Sequence, residues 1–263
     1  MKNIVVCIKQ VPETENVKIN KDTNTLVRDG VQSILNPYDA HALELGLSLK
    51  EQFSEYRVIA ITMGPPQAKE ILSYAISVGV DEVILLSDRA FAGADAWATA
   101  YTLAQAINQI DNVELIICGK QAIDGDTGQV GPGIAEFLDL PHLSGLVKAT
   151  LQDGKLHVSR VTDEGLECLE TSLPAMVTVT QELNTPRYPS LKGKIKAKNA
   201  EIPIWSAEDI KADMTKIGLA GSPTRVTAIF TPPTKPGEAE IFQGASEVCV
   251  CQLMDRVKDL IKR

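Results

Sequence analysis

The stretch "VELIICGKQAIDGDTGQVGPGIAEFLDL", Val113 to Leu140, passes from a continuous apolar run through a small, polar loop into a second apolar segment. The first run reads as a buried strand and Gly133–Leu138 as the core of a helix. Between them the loop offers backbone amides from Gly125 to Gly131 beside Asp124 and Asp126. It lacks the GxGxxG spacing of a dinucleotide fingerprint and the Gly-Lys-Ser/Thr that closes a phosphate loop. A helix N-terminus with open N–H groups nevertheless holds phosphate without lysine. The aspartates can cap turns or accept from hydroxyls, while Thr127 and Gln129 can donate to phosphate oxygens. An ordinary glycine-rich turn accounts for the glycines but not for the threonine and glutamine. The loop is read as a nucleotide site, with the identity of the nucleotide left open.

Working outward, the same strand–helix alternation fills the first half of the chain. Ile4–Ile8, "YRVIAITMG", "EVILLSD" and "VELIICG" are apolar runs, and helical patterns separate them. In "AHALELGLSLKEQ", Ala42, Leu45, Leu49 and Phe53 share one helical face, and Asp39 favours the helix start. This rhythm predicts an α/β fold, an open and mostly parallel sheet with helices on both faces. Ligands of such sheets lie beyond the carboxyl ends of the strands, which selects the loops after Cys7, Met63, Asp88 and Cys118.

From about Thr150 the pattern changes to alternation. "GKLHVSRV" and "LECLETSLPAMVTVT" read as a short antiparallel part, turning near Asp153-Gly154. Residues 194–263 show little periodicity until "VCVCQLMDRVKDLIKR". Ile202, Ile204, Trp205, Ile217, Leu219, Ile229 and Phe230 there form no self-contained pattern, which suits either an arm ordered on a partner or a loosely attached tail.

Composition narrows the function. The 263 residues carry a net charge of −8, which argues against a nucleic-acid groove. "MKNIVVCIKQVPE" has too short an apolar run for a signal core or a membrane span. Five cysteines without a CxxC pair suit a reducing cytoplasm, and Cys249 with Cys251 cannot alone close a tetrahedral metal site. His41, His142 and His157 are scattered, so no catalytic side chain is assigned; any redox chemistry must come from a bound cofactor.

Four separated motifs, in order, resemble the beta subunit of electron-transfer flavoproteins. They are "LNPYDAHALELGLSLKE", "GKQAIDGDTGQVGP", "VSRVTDEGLECLETSLPAMVT" and "TPRYPSLKGKIKAK". The resemblance implies an adenine nucleotide alpha hydrolase-like domain over residues 1–193 that binds FAD. It further implies an extended C-terminal arm, 194–263, that embraces an alpha subunit.

In one branch of this family the beta site holds a structural AMP. In the bifurcating branch it holds a second FAD that exchanges electrons with NAD(H). The segment from "KQVPET" to "DAHALE" and the segment "GADAWATAYTLAQAI" resemble the second branch. Small residues Gly93, Ala94, Ala96 and Ala98 would leave room for the larger flavin. The family commonly has threonine where this chain has Ala96.

Carried over by resemblance, the adenosine end is surrounded by Cys7, Asn36, Tyr38, Asp39, Met63 and Gly64. The loop residues Gly119, Lys120, Gln121, Ala122, Asp124, Gly125, Asp126, Thr127, Gly128, Gln129 and Val130 complete that end. Asp95, Ala96, Trp97, Ala98 and Thr99 belong nearer the ribityl and ring. Arg187, Tyr188 and Leu191 fall in the family's docking loop for a dehydrogenase, of acyl-CoA or other flavin-dependent type. Ferredoxin or flavodoxin is the implied low-potential acceptor.

Overall fold

A computed structural model describes residues 1–13, 18–20, 25–27, 33–227 and 240–261. By internal contacts the chain divides into two units, Met1–Thr227 and Ala228–Arg263. Most of residues 14–32, within the segment resembling the flavin-bearing branch, and Ile229 and Phe230 lie outside the described residues.

The elements of the first unit begin with β1 (Lys2–Cys7), β2 (Gln10–Pro12), β3 (Lys18–Asn20), β4 (Thr25–Val27), β5 (Ser33–Leu35) and α1 (Pro37–Gln52). β6 (Tyr56–Met63), α2 (Lys69–Val78), β7 (Glu82–Leu86), α3 (Ala96–Ile107), β8 (Val113–Gly119) and α4 (Val130–Leu138) continue the alternation. Then come β9 (His142–Gln152), β10 (Lys155–Thr162), β11 (Gly165–Ser172), β12 (Ala175–Val179), α5 (Leu191–Asn199), β13 (Ile204–Trp205) and α6 (Gly218–Gly221). The second unit contains α7 (Ser246–Ile261).

Nine strands form one sheet in the order β11-β10-β9-β12-β8-β1-β6-β7-β13. Neighbours from β9 to β13 run parallel, whereas β10 pairs antiparallel with both β9 and β11. Two small antiparallel ladders, β2-β5 and β3-β4, stand apart from it. The period of two along β1 assigns side chains to the faces. Ile4 and Val6 join Leu43, Leu47 and Leu72 in one core, under α1 and α2. Val5 and Cys7 join Leu103, Ala104 and Ile134 in the other, under α3 and α4. The fold is therefore the α/β arrangement, covered on both faces, that the alternation predicts.

Several boundaries differ from the sequence reading. α1 starts at Pro37, with Asn36 at the cap position, rather than after Asp39; proline suits the first helical position because its missing N–H needs no partner there. "LECLETSLPAMVTVT" is not one antiparallel strand. It divides at Pro174, and its second half, β12, lies parallel between β8 and β9. β9 occupies a stretch in which no strand was read before Thr150.

The region after residue 193 is also more ordered on its own chain than its pattern suggests. Ser190 caps α5 by accepting from the Gly193 amide. Gly193 lets α5 approach α2 closely, since a Cβ there would lie 2.0 Å from the Ser77 carbonyl oxygen. Ile210 and Ile217 are buried, and Ile202 and Trp205 pack against the two cores. Only Ile204 and Leu219 of the described apolar set stand exposed.

Candidate nucleotide-cofactor site

Strand order reverses between β1 and β8: from β1 the chain winds out through β6 and β7, and from β8 it winds the other way to β12. Open parallel sheets bind ligands in the crevice at such a point. A cavity of about 340 Å³ lies there, floored by Cys7 and Cys118 and walled by the loops after β1 and β8 and by the N-terminal end of α3.

The long loop after β8 is held from below. Asn36, buried at the start of α1, donates from Nδ2 to the Gln121 carbonyl at 2.9 Å and accepts from the Ile123 amide at 3.2 Å. The same Nδ2 donates to Asp39 Oδ1 at 2.9 Å. Asp39 also accepts from the Gly119 amide at 3.2 Å and from the Lys9 amide at 2.7 Å. One buried carboxylate thus ties together the ends of β1, β8 and α1. Gly119 is required for that contact, because a Cβ would sit 2.3 Å from Asp39 Oδ1. Burial pushes the Asp39 carboxyl up to about 7 even though three N–H donors favour its ionised form.

Above this base the loop turns with Asp126 and Gly128 at positive φ and delivers the chain to α4. No described side chain caps α4; Pro132 has no N–H and the Gly133 amide donates to the Gln129 carbonyl, so the open amides of the first turn are those of Val130 and Gly131, which line the cavity and carry partial positive charge. Gly131 seats that turn on the sheet, where a Cβ would meet Met176 Cε at 2.6 Å and Thr178 Cγ2 at 2.7 Å. Lys9 Nζ pairs with Asp124 at 2.7 Å across the loop. On the floor, Cys7 and Cys118 are in register on neighbouring strands. A hydrogen bond to Cys7, together with burial, pushes the Cys118 thiol well above its ordinary value and leaves it protonated.

The geometry suits a nucleotide: uncapped helix amides for phosphate, a glycine-bearing loop for close approach, and an apolar floor. Residues 23–210 match the electron transfer flavoprotein domain. The electron transfer flavoprotein subunit beta of Thermoanaerobacterium thermosaccharolyticum is 46% identical over 256 residues, covering 97% of each chain. The chain belongs to the electron transfer flavoprotein beta-subunit family. The caffeyl-CoA reductase-Etf complex subunit CarD of Acetobacterium woodii is 48% identical over 243 residues, 92% of each chain. The electron transfer flavoprotein subunit beta of Megasphaera elsdenii is 44% identical over 262 residues, 97% of each. An electron-transfer flavoprotein role follows from this membership.

Within this electron transfer flavoprotein subunit, most of the residues singled out in the sequence come together. Cys7, Asn36, Asp39, Met63, Asp95, Ala96, Thr99 and Gly119 line the cavity, as do Lys120, Gln121, Ala122 and Gly125–Val130. Tyr38, Gly64, Trp97, Ala98 and Asp124 do not. Trp97 is 50% exposed and packs its ring on Phe137, with centroids 4.7 Å apart, on the outer side of α3. Ala98 is buried in the helix, and Asp124 is engaged by Lys9. The polar atoms of Asn36 and Asp39 are taken up by the protein itself, so these residues shape the loop. Sequence reasoning missed Ile8, Lys9, Leu103, Cys118 and Gly131, which also line the cavity. The period of two in "LIICG" could have placed Cys118 beside Cys7.

Of the docking residues, Arg187 is tethered. Its guanidinium binds Glu44 and Glu51 on α1, and its amide donates to Glu44. Tyr188 and Leu191 are 94% and 77% exposed, and Leu191 begins α5 rather than sitting mid-loop. Cys249 and Cys251 lie two apart on α7, where helical geometry turns their side chains to different sides. Among the described residues no group of His, Cys, Asp or Glu is arranged to hold a metal, and no helix is long and apolar enough to cross a membrane.

Proposed function

We propose that this chain is the beta subunit of a cytoplasmic electron-transfer heterodimer and binds FAD in the switch-point cavity. The observation that carries the reading is the uncapped first turn of α4 opening into that cavity beside Gly125 and Gly128. A flavin dinucleotide fits this donor set: the α4 amides take phosphate oxygens, while Thr127 and Gln129 can donate to hydroxyl or phosphate oxygens. Ala94, Ala96 and Thr99 leave room along the opposite wall for the remainder of the molecule. When bound, FAD would supply the capacity to take electrons from NADH and pass them on singly, one to ferredoxin or flavodoxin and one through an alpha-subunit FAD to a dehydrogenase. The protein's part is to bind, orient and exclude water, and no side chain acts as an acid or base. Cys7 and Cys118 are buried on the floor, and the Cys118 thiol, held protonated there, adds no charge and does not attack.

The partners follow the same reading. A relative whose name joins an electron transfer flavoprotein with caffeyl-CoA reductase supports a CoA-ester-directed flavoenzyme as the dehydrogenase. A second reading, a structural AMP, is favoured by the cavity's volume of about 340 Å³, near the lower end of small-ligand sites. Releasing the ligands of the purified heterodimer and counting them decides between the two. Two flavins per heterodimer are expected; one flavin with one AMP would replace this reading with the second.

A further inference from the structure

Two aspartates in the connection between β7 and α3 divide their carboxylates in the same way. Asp88 accepts from the Ala90 amide through Oδ1, closing its own short helical turn, and from the distant Ala207 amide through Oδ2. Asp95 accepts from the Ala98 amide through Oδ1, capping α3, while its Oδ2 takes both the amide and the hydroxyl of Thr224, at 3.0 and 2.7 Å. The Asp95 amide in turn donates to Ser222 Oγ at 2.8 Å, and the Leu219 amide donates to the Ala92 carbonyl.

Backbone conformation makes this crossing possible. Gly93 has φ +75°, with Leu219 packed over it, and Gly218 has φ +52° where a Cβ would lie 2.0 Å from the Ala90 carbonyl oxygen. Residues 217–224 therefore form a strap hydrogen-bonded along the loop that ends in Ala94, Asp95 and Ala96, which is the α3 side of the cofactor cavity. Neither Ser222 nor Thr224 lines that cavity.

We infer that Ser222 and Thr224 are positioning residues for the cofactor, acting through Asp95 to fix the N-terminal turn of α3 against the bound nucleotide. This rests on the cavity being the cofactor site, but not on the cofactor being FAD. The capping oxygen of Asp95 and the strap-binding oxygen belong to one rigid carboxylate, so loss of the strap contact frees the cap to rotate. The wall then loses its fixed geometry while the two cores remain untouched.

The test uses the full chain in its purified heterodimer, comparing wild type with Thr224→Val, with Thr224→Ser and with the pair Ser222→Ala/Thr224→Val. Release of the beta-site ligand after desalting is followed by chromatography, and amide exchange is followed over residues 92–99. Thr224→Val should release ligand about fivefold faster and the pair about tenfold faster, the scale of one ordinary hydrogen bond, because the Thr224 amide still reaches Asp95. Exchange in the α3 first turn should rise with it, and Thr224→Ser should restore both. Unchanged release and exchange in the pair would overturn the inference, as would a lowered melting temperature with unchanged release. If the ligand proves to be AMP, the FAD reading fails while the same comparison, scored on AMP, still decides the strap's role.

Discussion

Asp39 accepts only from N–H donors, yet burial pushes its carboxyl up to about 7 from an ordinary value of 3.8. The folded state thus holds a proton on Asp39 that the unfolded chain releases between those two values. Its contribution is fully present below about pH 4 and is lost as pH rises through about 7. The stability gap between wild type and Asp39→Asn should therefore narrow as pH rises from 5 to 8 in urea titrations; a gap that widens would show that the N–H donors dominate. The variant should also cost about 1–3 kcal/mol on the acid side, because an amide presents a donor to one of the three N–H groups. The sequence showed Asn36 and Asp39 next to a helix start. It could not show that the distant Lys9 and Gly119 amides converge with the Asn36 side chain on one carboxylate. Gly119 was legible only as a loop glycine, whereas its role is to let Asp39 reach its amide.

α4 reaches the site only because Gly131 lets its first turn rest on β12. Gly131→Ala should lift that turn, cost about 1–3 kcal/mol by overpacking and weaken retention of the nucleotide more than it weakens the fold; thermal melts with and without ligand check this. On the opposite face, Arg187 joins the segment before α5 to Glu44 of α1. Burial acts to raise the Glu44 carboxyl, but the Arg187 hydrogen bonds outweigh it and hold it below its ordinary value. That contribution is present at neutral pH and fades as pH falls through the carboxylate range. Arg187→Ala should cost about 2 kcal/mol at pH 7, and calorimetry should find the difference shrinking toward pH 4. Elements with unbroken apolar runs were legible because burial on both faces writes itself into composition. α5 was not, since of the apolar positions in "LKGKIKAKN" only Ala197 packs on the core, with Gly193 seated against α2, too few to make a period. β9 was hidden because, at the border between parallel and antiparallel parts, its buried positions are irregular.

By internal contacts the first unit runs to Thr227, with Ile210 and Ile217 inside the α3 and α4 face of the core. Ending the chain after Lys198 should therefore remove at least about 4 kcal/mol of stability, the scale of two buried isoleucines, whereas ending it after Thr227 should leave the melting temperature of the α/β unit nearly unchanged. Equal melting temperatures for the two truncations would return residues 199–227 to the status of a detached arm. The nine-stranded sheet has dissimilar ends. β13 contributes two residues beside β7, and the chain leaves again at once. At the other end β11 runs for eight residues, and among the described residues nothing pairs with its outer side. On it Glu167 stands opposite Arg160, and Glu170, opposite His157, pairs diagonally with Lys155; charges of this kind discourage unwanted strand addition. Growth of this sheet by backbone pairing is thus directional: a foreign strand finds a long unsatisfied template at β11 and almost none at β13, so self-association through the sheet would be expected to stop at pairs of molecules rather than extend into fibres.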